Sequence, residues 1–214
     1  MSTDLAPATA LERNWWLRSL VVLVAPRAVF ASLRDDSEEA TEGRQDPLIV
    51  VAVLAAISVV LVSPTFRRML NDGSVSVGLI PVLAFIAGSL YAAAVYWLGG
   101  GLLYGASLRL GSEGDWLRSR HVLALSAMPL ALSLFTFWPV RIAVYGENLF
   151  RTGGDDYGRG DAVFGALFLC IVAWSVWLLL VGVRTVHGWT WARASAAVAL
   201  AAAFPALIVL ATRL

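Results

Sequence analysis

Few residues in this chain have side chains suited to chemistry, and their spacing limits what they can do. The histidines are His121 and His187, and Cys170 is the only cysteine. A hydroxyl nucleophile needs a base within hydrogen-bond reach. Ser126 and Ser133 lie near His121 in sequence, but on a helix only residues three or four apart share a face, and Ser126 falls off the face of His121. No HExxH, GxSxG, phosphate-binding loop or dinucleotide-binding glycine pattern is present. Cys170 sits inside an apolar run and can form no internal disulfide or metal motif. The loop from Gly146 to Asp161 carries Asp155, Asp156 and Asp161 but lacks the alternating ligands and terminal glutamate of a calcium loop. Neither histidine has a carboxylate at a spacing that would orient it toward a metal. The residues therefore predict no enzyme, no cofactor and no metal site.

Arginine and tryptophan carry the remaining chemistry. All sixteen basic residues are arginine. In the stretch "NWWLRSLVVLVAPRAVFASLR", Asn14 to Arg34, they alternate with tryptophan and aliphatic residues. As a transmembrane span this stretch fails, because Arg18 or Arg27 would lie near its centre at a cost of about 2.5–3.5 kcal/mol. As a signal peptide it fails too, with Pro26 where small residues should precede cleavage. The pattern predicts a helix lying in the membrane interface over residues 14–34. Trp15 and Trp16 anchor it at headgroup depth, Leu20, Leu23, Val24 and Phe30 face the acyl chains, Arg13, Arg18, Arg27 and Arg34 meet anionic phosphates, and Pro26 bends it. A cytoplasmic tail, residues 1–13, precedes it. An acidic linker, residues 35–46, follows.

The elements that position these residues follow from composition. Of 214 residues, 59% are hydrophobic and 14% charged, whereas a soluble domain carries about 25% charged residues. The net charge of +1 gives no reason to expect a nucleic-acid partner. Five apolar runs approach the roughly 20 residues that cross a bilayer, near 47–64, 77–104, 120–143, 161–184 and 192–213. They must be helices, since hydrocarbon offers no water to an unsatisfied backbone. The predicted fold is all-α, a five-helix transmembrane bundle over residues 47–214. Gly101 and Gly105 form a GxxxG pair, and Ala199 and Ala203 continue a small-residue stripe with Ala192, Ser195 and Ala196; both favour close helix packing. Pro81, Pro129 and Pro205 are predicted to kink their spans, and the glycines from Gly99 to Gly101 to tilt or break the second. Trp174 and Trp177 are expected to pack against the small face of the fifth span. Trp138, Trp116, Trp189 and Trp191 are expected in aromatic belts.

With a cytoplasmic N-terminus and five spans, Arg13, Arg18, Arg27, Arg34, Arg44, Arg109, Arg118, Arg120, Arg184 and Arg193 lie inside. That majority has the sign of the positive-inside rule and places the C-terminus outside.

The order of motifs resembles a family. "LVAPRAVFASLRDD" resembles the opening of bacterial Yip-domain proteins, with a proline ahead of an aromatic and a short amphipathic helix before the first span. "HVLALSAMPLALSL" resembles the family's alanine- and proline-bearing segment. "WSVWLLLVGVRTVHGWTWARASAAVALAAAFP" resembles its last two spans and their short turn. The resemblance runs from about Trp15 to Leu214. It implies a compact five-helix membrane protein. The all-arginine usage and compact loops lead to the expectation of a bacterial inner membrane. Eukaryotic members are associated with Rab-type GTPases, vesicle traffic and membrane shaping. The family supplies no catalytic residues.

The expected function is a non-enzymatic scaffold or adaptor whose partners are membrane lipids and either another membrane protein or a second copy of the chain. The alternative is a small oligomeric transporter or channel built around proline-broken helices. The spans hold no mid-membrane carboxylate of the kind that couples transport to ions.

Overall fold

The computed structural model describes residues 14–70, 76–146, 149 and 159–211. The tail 1–13, most of the loop from Gly146 to Asp161 and the chain from 212 onward lie outside the described residues. Every regular element among those described is helical, and the architecture is an all-α membrane bundle.

Two short helices come first, α1 (Trp15–Val21) and α2 (Pro26–Ala31), the second running into a 3-10 turn at Ser32–Arg34. Asn14 caps α1 by accepting from the Trp16 amide at 3.0 Å. Pro26 opens α2, at the position where its missing N–H is harmless. The stretch 14–34 is thus a helical hairpin with Pro26 at its corner, rather than a single bent helix.

The first span, α3 (Glu38–Val62), begins well before Pro47. Ser37 caps it, accepting from the Ala40 amide, and Glu38 and Glu39 lie in its first turn, where carboxylates face the positive end of the helix dipole. The residues read as an acidic linker are mostly the first turns of this helix, and Pro47 sits inside it. Hydrogen bonds from the Ser37 backbone and hydroxyl hold the Asp35 carboxyl below the usual carboxylate range.

A short helix, α4 (Pro64–Leu70), follows. The second span consists of α5 (Ile80–Ala94), a π-helical turn at Val95–Gly99 and α6 (Gly100–Arg109). The glycines therefore mark a widened turn and not a break. The third span is α7 (Trp116–Ser126) and α8 (Met128–Tyr145), parted at Ala127. Pro129 explains the parting, since it lacks an N–H and crowds the carbonyl one turn earlier. The Ala127 amide turns instead to Ala124 at 3.1 Å. The fourth span, α9, covers Arg159–His187 and the last helix, α10, covers Trp191–Ala211. Pro81 lies at the start of α5 and Pro205 inside α10. Four helical stretches are long and apolar enough to cross a membrane, Glu38–Val62, Ile80–Arg109, Trp116–Tyr145 and Gly160–His187, and Trp191–Leu207 is a shorter apolar helix.

α3 is the central helix, packing on α5 and α8, while α9 packs on α2, α7, α8 and α10, and α10 on α6. Small residues fill these seams, among them Ala55, Ala84, Ala92, Ala124, Ala194 and Ala197, all buried. Large residues such as Phe85, Leu90, Phe135 and Leu169 point outward. A bundle in lipid gains nothing by hiding leucine, so packing selects side chains that let backbones approach.

The buried face of α10 runs through Ala194, Ala197 and Ala201, whereas Ala199 is exposed. The stripe read from sequence is the neighbouring face. Gly101 and Gly105 do lie opposite Ala203, but across an open groove lined also by Leu102 and Leu200. A methyl group on Gly105 would touch nothing within 4 Å. The close crossing is at Gly100, where a Cβ would fall on the Arg120 side chain and 3.1 Å from its Cα. Trp174 and Trp177 are about half exposed rather than enclosed.

Candidate functional site

The chain folds so that one end of the bundle collects the arginines. This end contains α1 and α2, the start of α3, the turn between α6 and α7, and the turn between α9 and α10. Arg34 donates from Nε to the Val186 carbonyl at 3.3 Å and from Nη2 to the Thr185 carbonyl. Arg193 donates to the Leu110 carbonyl, and Ser112 bonds His187 Nδ1 at 3.0 Å. Asp36 pairs with Arg118 and lies 3.8 Å from Arg44. These contacts tie the turns to one another. Free carbonyls at the ends of α6 and α9 make natural acceptors for guanidinium groups.

Arg44 is almost wholly buried. It donates to the Asp35 carbonyl at 2.8 Å and to Thr41 Oγ1 at 3.2 Å, and its guanidinium lies 6.0 Å from the Trp15 ring centre. Arg120 is 8% exposed and sits in a cage of rings, 4.1 Å from Trp97, 4.5 Å from Trp116 and 5.2 Å from Tyr96. Cation–π attraction lowers the cost of burying that charge. Neither arginine stood out in sequence except as a topology marker. Tyr96 and Trp97 reach Arg120 only because α6 and α7 form a hairpin, and no sequence spacing reveals that crossing.

The predicted interface residues divide. Trp16 is half exposed, and Leu17, Leu20 and Val24 are exposed beside it. Arg27 is exposed, and Arg18 lies over the Trp15 ring at 5.0 Å. Trp15 and Phe30 are buried in the protein rather than set against lipid. Trp15 packs beneath Arg18 and Arg44. Phe30 occupies a notch on α9 where a Cβ on Gly182 would come within 2.8 Å of its ring. The hairpin is therefore apolar on two sides, one packed on the bundle and one facing outward.

The two histidines are not brought into a metal site, and no group of three or more potential metal ligands exists among the described residues. His187 stacks on Trp189 at 4.5 Å. His121 is fully buried, and neither of its ring nitrogens has a hydrogen-bond partner among the described residues. Trp189 is buried and Trp138 is enclosed in the bundle, so neither belongs to an aromatic belt; Trp116 and Trp191 remain partly exposed. Trp138 Nε1 donates to Ser58 Oγ at 2.9 Å, and Ser58 meets Ser133 Oγ at 2.6 Å. At the opposite end of the bundle Arg141 pairs with Asp161 at 2.8 Å and joins α8 to α9.

Long apolar helices, lipid-facing leucines and a basic aromatic end define a multi-pass integral membrane protein. The family model described as the Yip1 domain matches residues 20–213, nearly the whole chain, and the protein belongs to that family. No curated protein and no solved structure matches it.

Proposed function

We propose that this protein is a non-enzymatic membrane scaffold that organises lipids or other membrane proteins through the basic, tryptophan-bearing end of its bundle. The observation that supports this reading is the double-sided hairpin of α1 and α2. Its inner face, with Trp15, Val22, Phe30 and Leu33, is buried on the bundle, while Trp16, Leu17, Leu20 and Val24 remain uncovered next to Arg27. Such a segment is held at a fixed depth by the protein and presents apolar and cationic groups to whatever lies beside it. Assigning this end to the cytoplasm agrees with its arginine content.

The test is affinity capture of the full-length protein from its native membrane, comparing wild type with Leu20→Asp/Val24→Asp. A reproducible membrane-protein or lipid partner that the double variant loses supports the reading. Solute flux in proteoliposomes that depends on Pro129 or Gly101 would replace it with a transporter.

A further inference from the structure

Two adjacent cavities lie below the arginine end. The larger, about 210 Å³, lies between α3, α5, α7, α8 and α9, and its walls are almost entirely apolar, with Ala56, Val59, Leu130 and Val172 among them. The smaller, about 180 Å³, is lined by Gln45, Ser89, Trp97 and Arg120. Ala52, Ala92 and Tyr96 form part of both walls. Each alone is smaller than the usual ligand pocket, and only a ligand that spans both would fill a volume at the lower end of that range, roughly 300–1,000 Å³.

Polar groups at this junction lack partners among the described residues. Arg120 Nε is buried without an acceptor. Among the described residues no carboxylate lies within ion-pair distance of Arg120; Asp36 pairs with Arg44 and Arg118 instead. Rings lower the cost of its charge but do not satisfy all five of its N–H donors. The hydroxyl of Tyr96, itself 6% exposed, is also unpartnered, as is Ser175 Oγ in the wall of the larger cavity. This is unlike Ser19, Ser126 and Ser133, whose hydroxyls bond back to their own helices. A buried donor without an acceptor costs about 1–3 kcal/mol. Three such groups around one cleft call for a ligand that brings acceptors.

We infer that this cleft binds one anionic phospholipid, its phosphate at Arg120 and Gln45, an ester carbonyl at the Tyr96 hydroxyl, and part of an acyl chain in the apolar cavity. The order of chemistry along the cleft matches that of the lipid: cation, then neutral donor, then hydrocarbon. Arginine suits phosphate through paired, charge-assisted hydrogen bonds. Trp97 and Trp116 beside it are about half and two-fifths exposed, as befits headgroup depth. Basic pockets between transmembrane helices hold lipid headgroups in this way. A free phosphate offers the same chemistry to Arg120 but leaves the apolar cavity empty. The inference goes beyond the scaffold reading and does not depend on it.

The experiment is native mass spectrometry of the full-length protein exchanged into mixtures of dioleoyl phosphatidylglycerol and dioleoyl phosphatidylcholine. Wild type is expected to retain the anionic lipid with about tenfold preference, and Arg120→Gln to lose it, the loss expected for one charge-assisted contact. Arg120→Lys should restore part of the preference. A thermal melt checks folding, and if Arg120→Gln does not fold, Ala56→Leu tests the tail end by filling the apolar cavity. It is expected to lower retention of the same lipid at an unchanged melting temperature. Equal retention by wild type and a folded variant overturns the inference. Displacement of the lipid by millimolar inorganic phosphate also overturns it, reassigning Arg120 to a free anion.

Discussion

Gly100 and Gly105 share one helix and should answer a methyl group in opposite ways. At Gly100 the new Cβ meets the Arg120 side chain and backbone, so Gly100→Ala is expected to cost about 1–3 kcal/mol as an overpacked contact. At Gly105 it meets nothing. There the helix propensity of alanine dominates, and Gly105→Ala should be neutral or stabilising by up to about 1 kcal/mol. Reversible unfolding in mixed micelles reads both, and equal effects would remove the crossing at Gly100. A second residue-scale expectation concerns Ser58, which accepts from Trp138 and bonds Ser133 between α3 and α8. Ser58→Ala should lower stability by about 0.5–2 kcal/mol, the range for hydrogen bonds between membrane helices. Ser58→Cys, with its weaker acceptor, should fall between. A null effect in both would make the network incidental. Glycine GxxxG and alanine stripes were visible in the sequence, but which member faced a neighbour was not. Small residues occur on several faces of α6 and α10, and only the crossing selects Gly100 over Gly105 and Ala197 over Ala199. Ser58 and Ser133 lie in different spans, so their meeting left no local trace.

At the scale of elements, the hairpin of α1 and α2 stands or falls with Phe30. The ring is fully buried in the notch at Gly182. Phe30→Ala removes a core aromatic, a change that costs about 3–5 kcal/mol where the site cannot collapse. That loss should fall on docking of the hairpin and not on the bundle, because α3 packs on α5 and α8. Hydrogen exchange is expected to show residues 15–34 losing protection while α3 and α8 keep theirs. A uniform loss would mean that the hairpin is part of the global fold. The existence of this segment, its proline corner and its tryptophans were all legible, because amphipathic spacing and a charged flank are local signals. Its docked face was not, since a side chain turned toward lipid and one turned toward a lipid-like protein wall read alike in sequence. The start of α3 carries a local signal, Ser37 followed by Glu38 and Glu39, which competes in the sequence with Pro47 and an acidic, linker-like composition.

At the scale of the whole molecule, the two ends differ in arginine content. Among the described residues, Arg18, Arg27, Arg34, Arg44, Arg118, Arg120 and Arg193 gather at one end, together with acids such as Asp36 and Asp115, and Arg67, Arg68 and Arg141 lie at the other. Interaction with anionic phosphate and the positive-inside bias act in the same direction on the first group. Four of the five spans read from hydropathy are long apolar helices and the fifth is a shorter one, whereas the sharing of one arginine-rich end by several turns comes from the course of the helices. Orientation then becomes a single measurable consequence. In a Cys170→Ala background, Glu113→Cys at the exposed turn between α6 and α7 should react with an impermeant maleimide only from the cytoplasmic side. Thr65→Cys, at the start of α4, should react only from the opposite side. Reversed labelling would put the arginine end outside, where it would face no anionic cytoplasmic leaflet, and would remove the electrostatic basis for a scaffold working at that surface. The expected pattern would place Arg120 and its aromatic cage at the leaflet where anionic lipid is most concentrated, so that the orientation of the bundle and the chemistry of its cleft serve the same contact.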